Sequence, residues 1–235
     1  MTRSLSPTSA LVTGPLLLGL LLLGGCSDGG DEESATSPED ALATAKANLD
    51  DTSGVALSLT TEELPDGLDA ILTATGVGTH APAFEGDLTM KINDLSVDVP
   101  VVAVDGLVFA RLPFTTKFSE INPADYGAPD PANLMDTKNG ISSWLTALEG
   151  VEEGEQVRSG DQVLTSYSGT LPGSVVADVI PSASKGADFD ATFRIDDEGF
   201  LDTAEVAGPF YGDVGDVDYT IKIDDYGSDQ VISRP

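Results

Sequence analysis

Apolar residues alternate with polar or small residues along several stretches of the chain after residue 54. A period of two is typical of β-strands that bury one face. Asp105-Gly106 separates two apolar runs and predicts a two-residue hairpin. Strands at this spacing, joined by tight turns, indicate an antiparallel sheet. The alternating positions are Val55, Leu57 and Leu59; Leu88, Met90 and Ile92; Val97, Val99 and Val101; residues 163–167; Phe189, Ala191, Phe193 and Ile195; and Val217, Tyr219, Ile221 and Ile223.

Three stretches have helical periodicity instead. Ser37 can cap a helix over residues 38–50, with Pro38 at its first position. A second helix is predicted before Gly150, which would stop it, and a third starts near Gly173-Ser174 and ends at Pro181. A sheet with a few helices inserted is an α+β fold. The apolar stripes are Leu42, Ala45 and Leu49; Ile141, Trp144, Leu145 and Leu148; and Val175, Val176, Val179 and Ile180.

The N-terminal 25 residues have the pattern of a bacterial export signal. A positive charge at Arg3 is followed by an apolar run from Leu11 and by Leu23-Gly24-Gly25-Cys26, a lipobox. This pattern predicts cleavage before Cys26 and acylation of its sulfur, which would tether the protein to the outer face of the cytoplasmic membrane. A plain signal peptide or a short membrane helix is the alternative. Residues 26–36 are then an acidic flexible tether, and residues 37–235 form one domain.

The composition excludes some functions. Asp and Glu number 40 against 11 Lys and Arg, which gives a formal charge of −29. Nucleic acid is therefore not an expected partner, because phosphate binding needs Lys and Arg. Cys26 is the only cysteine, so no internal disulfide can form.

No catalytic constellation is visible. His80 is the only histidine, and its loop setting predicts an exposed side chain. There is no zinc ligand set, no nucleophile elbow and no phosphate loop. Acidic pairs such as Asp224-Asp225 are common, but none has the spacing of a calcium loop, so we expect solvated turns and neither a metal site nor an enzyme.

Five strings, in order from about residue 37 to the C-terminus, resemble the LppX/LprA/LprF/LprG lipoprotein family of mycobacteria and related actinobacteria. They are VVAVDGLVFARLPF (101–114), YGAPDPANLMDTKNGISSWL (126–145), YSGTLPGSVVADVIP (167–181), AGPF (207–210) and YTIKIDDYGSDQVISRP (219–235). The resemblance implies a strongly curved antiparallel sheet, a half-barrel, with helices on its concave side around an apolar cavity. It also implies binding of multi-acylated lipids or lipoglycans and their passage toward the outer envelope.

The residues alone favour dry core packing of the apolar stripes. The resemblance makes some of these residues candidate cavity walls instead. It implies a bound acyl lipid as ligand, no cofactor, and a membrane lipid exporter as a further partner. Lys91, Arg111, Lys117 and Lys138 are candidates for a basic patch, and the headgroup stays open between phosphatidylinositol-type glycolipids and neutral acylglycerols. A surface structural lipoprotein with a closed core and an enzyme with carboxylate catalysis are the competing hypotheses. The candidate lipid-binding residues are Leu88, Met90, Ile92, Val97, Val99, Val101, Ile141, Trp144, Leu145, Leu148, Val176, Val179 and Ile180.

Overall fold

The structure, a computed structural model, describes residues 36–126 and 128–235. The signal peptide, Cys26 and nearly all of the acidic tether lie outside these residues. Residues 36–235 form one compact unit.

The unit is built around one open sheet of 11 antiparallel strands, in the order β6-β5-β4-β3-β2-β1-β11-β10-β9-β8-β7. This confirms the predicted α+β class with a large antiparallel sheet. The elements in chain order are α1 (Pro38–Asp51), β1 (Gly54–Thr60), β2 (Ala70–Thr79), β3 (Ala83–Ile92), β4 (Leu95–Val104), β5 (Leu107–Ala110), β6 (Ser119–Ile121), α2 (Ser142–Ala147), β7 (Glu149–Ser159), β8 (Gln162–Pro172), α3 (Gly173–Val179), β9 (Asp188–Asp196), β10 (Leu201–Gly208) and β11 (Val217–Asp224).

Local sequence signals account for several of these elements. The Ser37 hydroxyl accepts a hydrogen bond from the Asp40 backbone N–H at 3.1 Å and caps α1, as predicted. Asp105 and Gly106 both have positive φ, 56° and 71°, and join β4 to β5. Two positive φ values in a two-residue loop match the twist of an antiparallel hairpin.

Four strands have no counterpart among the predictions. β2 and β10 are rich in small residues, β6 has three residues, and β7 is polar on both faces, so none shows clear alternation. The expectation that Gly150 ends the second helix is wrong. α2 ends at Ala147, and Gly150 lies inside β7 with φ 63°, where the pairing with β8 shifts register. A glycine with positive φ suits such a bulge.

His80 is not the exposed loop residue that the sequence predicts. It is half-buried, and its Nε2 lies 2.9 Å from the carbonyl oxygen of Leu49 near the end of α1. The carbonyl can only accept, so Nε2 donates. The side chain thus ties α1 to the turn between β2 and β3.

The register determines which side chains face inward. Leu88 lies opposite Val99 and Met90 lies opposite Val97, so the alternating residues of β3 and β4 share one face, as predicted. That inner face is covered differently along the sheet. α1 contacts β9 and β10, and α3 contacts β8 and β9. Over β2, β3 and β4 the cover is a 3-10 turn at Pro131–Asn133 and the chain around it.

Candidate ligand-binding cavity

An apolar cavity of about 250 Å³ lies between the inner face of the sheet and this cover. Small-molecule pockets typically measure about 300–1,000 Å³, so the cavity suits a small ligand or one part of a larger one. Its wall comes from two sources. The sheet and its loops contribute Leu57, Ser58, Leu59, Asp69, Ala70, Ile71, Ala74, Thr75, Phe84, Leu88, Met90, Ile92, Val99, Val101, Val108, Ala110, Leu112, Pro113, Ile121, Val206, Phe210, Tyr211, Tyr219 and Ile221, and the cover contributes Pro123, Tyr126, Ala128, Pro129, Pro131, Leu134, Ile141, Trp144, Ile180 and Ser182.

Exposure along β3 shows where the cavity opens. Phe84 is 3% exposed, whereas Leu88, Met90 and Ile92 are only half-buried although they face inward. Leu95, which follows the tip of the hairpin, is 68% exposed. An inward residue that stays half-exposed faces unfilled space instead of packed side chains. The mouth therefore lies at the end of the sheet where β3 turns into β4.

Two paired glycines shape the floor at the closed end. Gly76 on β2 lies opposite Gly86 on β3, and a Cβ on either one would collide with the ring of Phe84. The absence of side chains lets the Phe84 ring lie across both strands. The Phe84 ring thus forms the floor of the cavity at this end and leaves the cavity above β2 and β3 open.

The helices supply less of the wall than expected. Ile141, Trp144 and Ile180 line the cavity, and so do Leu88, Met90, Ile92, Val99 and Val101 from the sheet. Val97 packs against the core without lining the cavity. The structure places four other candidates, Leu145, Leu148, Val176 and Val179, among the buried core residues and not at the cavity wall.

Two tyrosines form a polar spot inside the apolar wall. The hydroxyls of Tyr211 and Tyr219 are 2.8 Å apart, and the Tyr219 hydroxyl donates to the carbonyl of Ile71 at 3.1 Å. Burial raises the pKa of both hydroxyls, so both stay neutral at ordinary pH. No sequence pattern marks this pair as part of a site. Tyr219 stood in the alternation of β11, whereas Tyr211 carries no sequence signal.

Two more polar atoms are buried beside the cavity. Trp144 Nε1 and Ser182 Oγ have no hydrogen-bond partner among the described residues. Both side chains belong to the cavity wall. Unpaired buried donors are uncommon in folded proteins, and they mark this wall as less completely satisfied than an ordinary core.

The candidate basic residues do not form one patch. Lys91 pairs with Asp94 at 3.2 Å, beside the mouth. Arg111 and Lys117 are exposed on the loop between β5 and β6, and Arg111 lies 5.6 Å from the Phe118 ring centre. Lys138 belongs to the segment leading into α2 and does not line the cavity.

A second depression, of about 510 Å³, is open and partly acidic, with Asp130, Asp136 and Asp178 in its wall. The backbone N–H groups of Asn139 and Lys138 donate hydrogen bonds to the Asp136 carboxylate and lower its pKa. This carboxylate therefore stabilises the turn that contains it. Among the residues with described coordinates, no cluster of three or more potential ligands could hold a metal ion. In the same part of the chain, no helix is long and apolar enough to cross a bilayer.

The class of fold is an open antiparallel sheet of 11 strands with an apolar cavity between its inner face and the covering segments. The LppX_LprAFG lipoprotein family model matches residues 37–231, and this chain belongs to that family. No curated protein matches the chain.

Solved structures agree on the fold. LprF from Mycobacterium bovis is similar with a TM-score of 0.70 and 14% identity, over 84% of this chain and 96% of that one. The lipoprotein LppX from Mycobacterium tuberculosis is similar with a TM-score of 0.62 and 17% identity, over 85% of this chain and 100% of that one. At these identities the likeness concerns the fold. Family and cavity together support a lipid-binding lipoprotein.

Proposed function

We propose that this protein is a membrane-tethered, non-catalytic carrier that binds an acylated lipid or lipoglycan in the cavity. It carries that lipid toward the outer cell envelope. The observation that carries the proposal is the row Leu88, Met90 and Ile92, which faces inward and yet stays half-exposed. An acyl chain laid along this row would cover apolar surface that the fold itself leaves uncovered. Loading by a membrane lipid exporter belongs to the same proposal.

The second candidate is a structural lipoprotein with a closed core that binds no lipid. The tightly packed half of the sheet, with Phe189 and Phe193 fully buried, is what such a protein would need throughout. Lipid extracted from protein purified from a related actinobacterial host separates the two. The carrier predicts long-chain acyl lipid in stoichiometric amount by mass spectrometry. Protein that emerges free of lipid from such a host would favour the structural candidate.

The tether has its own test at Cys26, which lies outside the described residues. We expect Cys26→Ala to leave the protein either unprocessed or released from the membrane, because acylation of the thiol is the proposed anchor. Membrane fractionation followed by mass determination of the N-terminus reads both results. A variant that is cleaved and still sediments with membranes like the wild type would contradict the proposed anchor.

A further inference from the structure

The loop between β5 and β6, residues 111–118, connects the cavity to solvent through apolar side chains. Leu112 and Pro113 line the cavity, and Leu112 is also 37% exposed. Phe114 follows directly and is fully exposed. Apolar surface therefore continues without a break from the cavity wall to the tip of this loop.

Phe114 is an unusual residue at the tip of the loop, because the backbone there has a positive φ. The Thr115 N–H donates to the Leu112 carbonyl at 3.1 Å, with Pro113 second in the turn and Phe114 third at φ 65°. Proline followed by a positive φ is the pattern of a type II turn, which favours glycine at the third position. A phenylalanine there adds backbone strain and exposed apolar area, and contacts within the folded domain offset neither.

The charge of this loop is opposite to that of the chain as a whole. No acidic residue occurs between Gly106 and Ser119, whereas Arg111 and Lys117 both lie within this stretch. Both are exposed, and neither forms an ion pair within the described residues. Asp105 precedes this stretch and pairs with Arg234, and Glu120 follows it. Asp69 lines the same cavity as Leu112 and accepts a hydrogen bond from the Asn93 N–H. Arg111 and Lys117 are therefore the charges that the loop itself presents.

We propose that loop 111–118 docks on an anionic phospholipid bilayer, with the Phe114 ring inserted among the lipids and Arg111 and Lys117 on the headgroups. This proposal rests on the lipid-binding function above and adds the surface through which lipid passes. Docking at this loop places the half-exposed mouth of the cavity against the bilayer. A lipid chain then moves between membrane and cavity along Leu112 without crossing open water.

Vesicle flotation of residues 36–235 tests the proposal. This segment contains every described strand and helix as one compact unit, and it lacks the proposed anchor. We expect it to bind vesicles of equal parts phosphatidylglycerol and phosphatidylcholine. Phe114→Gly should weaken binding about tenfold or more, because the variant lacks the aromatic ring that inserts into the bilayer. The melting temperature of this variant should stay level or rise, because glycine suits the positive φ of the turn. Neutralising Arg111 and Lys117 to Gln should weaken binding about fivefold per cation.

The matched control is Val157→Ser, which removes an exposed apolar side chain at the opposite edge of the sheet. Val157 is 49% exposed on β7, and this variant should bind vesicles like the wild type. Unchanged binding by Phe114→Gly, or equal binding to pure phosphatidylcholine vesicles, would overturn the docking proposal. Lipid content measured on the same samples separates the two proposals. Protein that contains lipid but does not bind vesicles would refute only the docking proposal. Protein that contains no lipid but binds vesicles through Phe114 would refute only the carrier proposal.

Discussion

Strands β3 and β9 have the same alternation of apolar and polar residues and differ in what covers their inner faces. Phe189, Phe193 and Leu201 are at most 1% exposed under α1 and α3. Leu88 and Met90 face inward too, yet they are half-buried beneath a 3-10 turn and a proline-rich segment. A helix offers a continuous row of side chains that interdigitates with a sheet, whereas an irregular segment leaves gaps. One sheet thus serves as scaffold at one end and as ligand wall at the other.

The largest expected difference in the free energy of unfolding comes from truncating one leucine to alanine in each half of the sheet. Leu201→Ala should lower the free energy of unfolding by about 2–5 kcal/mol, because it opens a cavity in a packed core. Leu88→Ala should cost only about 1 kcal/mol in lipid-free protein, since its side chain already faces open space. Urea denaturation of both variants measures the difference. Equal losses would mean that the two halves are packed alike.

A larger side chain at the same two positions should lower stability at Leu201 and lipid occupancy at Leu88. Leu201→Trp should destabilise by about 1–3 kcal/mol through overpacking, and each kcal/mol lowers the melting temperature by about 2–4 °C. Leu88→Trp should leave the melting temperature nearly unchanged and reduce lipid occupancy, because the indole takes up cavity volume. Calorimetry and lipid extraction read the two effects. A stable Leu88→Trp protein with full lipid content would place Leu88 off the lipid path.

Sequence patterns account well for the sheet and poorly for the difference between its halves. The alternation of β3 predicts correctly that Leu88, Met90 and Ile92 share a face, because side-chain direction follows strand period. It cannot tell whether that face meets a helix or a void, since this depends on segments distant in the chain. Leu145 and Val176 show the same limit, because a helical stripe fits cavity and core equally and the structure places both in the core. β7 was not predicted because nearly all of its side chains are exposed and most are polar, so it has no apolar face with a period of two.

Alkaline titration compares the halves through their buried tyrosines. Tyr219 belongs to the cavity, whereas Tyr226 donates to the carbonyl of Leu201 in the packed half at 2.8 Å. Burial raises the pKa of both above the usual value of 10.0. Their stabilising effect is therefore complete below pH 10 and is lost as the pH rises further, by up to about 1.4 kcal/mol per pH unit for each.

Phenylalanine at either position should flatten this alkaline decline. Tyr219→Phe should also cost about 1 kcal/mol at neutral pH, because it breaks the bonds to Tyr211 and Ile71. Urea midpoints between pH 8 and pH 11 give the slopes. Slopes that match the wild type in both variants would mean that neither tyrosine is buried in solution.

Quenching of Trp144 by a lipid with brominated acyl chains tests most directly whether lipid occupies the cavity. Trp144 is the only tryptophan, it lines the cavity, and it is 1% exposed, so its emission reports on that wall alone. In lipid-free protein loaded with brominated phosphatidylglycerol, we expect strong quenching of Trp144 relative to the same protein loaded with the unbrominated lipid. Stoichiometric binding of the brominated lipid with undiminished Trp144 emission would show that the acyl chains lie elsewhere and would contradict the cavity as the lipid site.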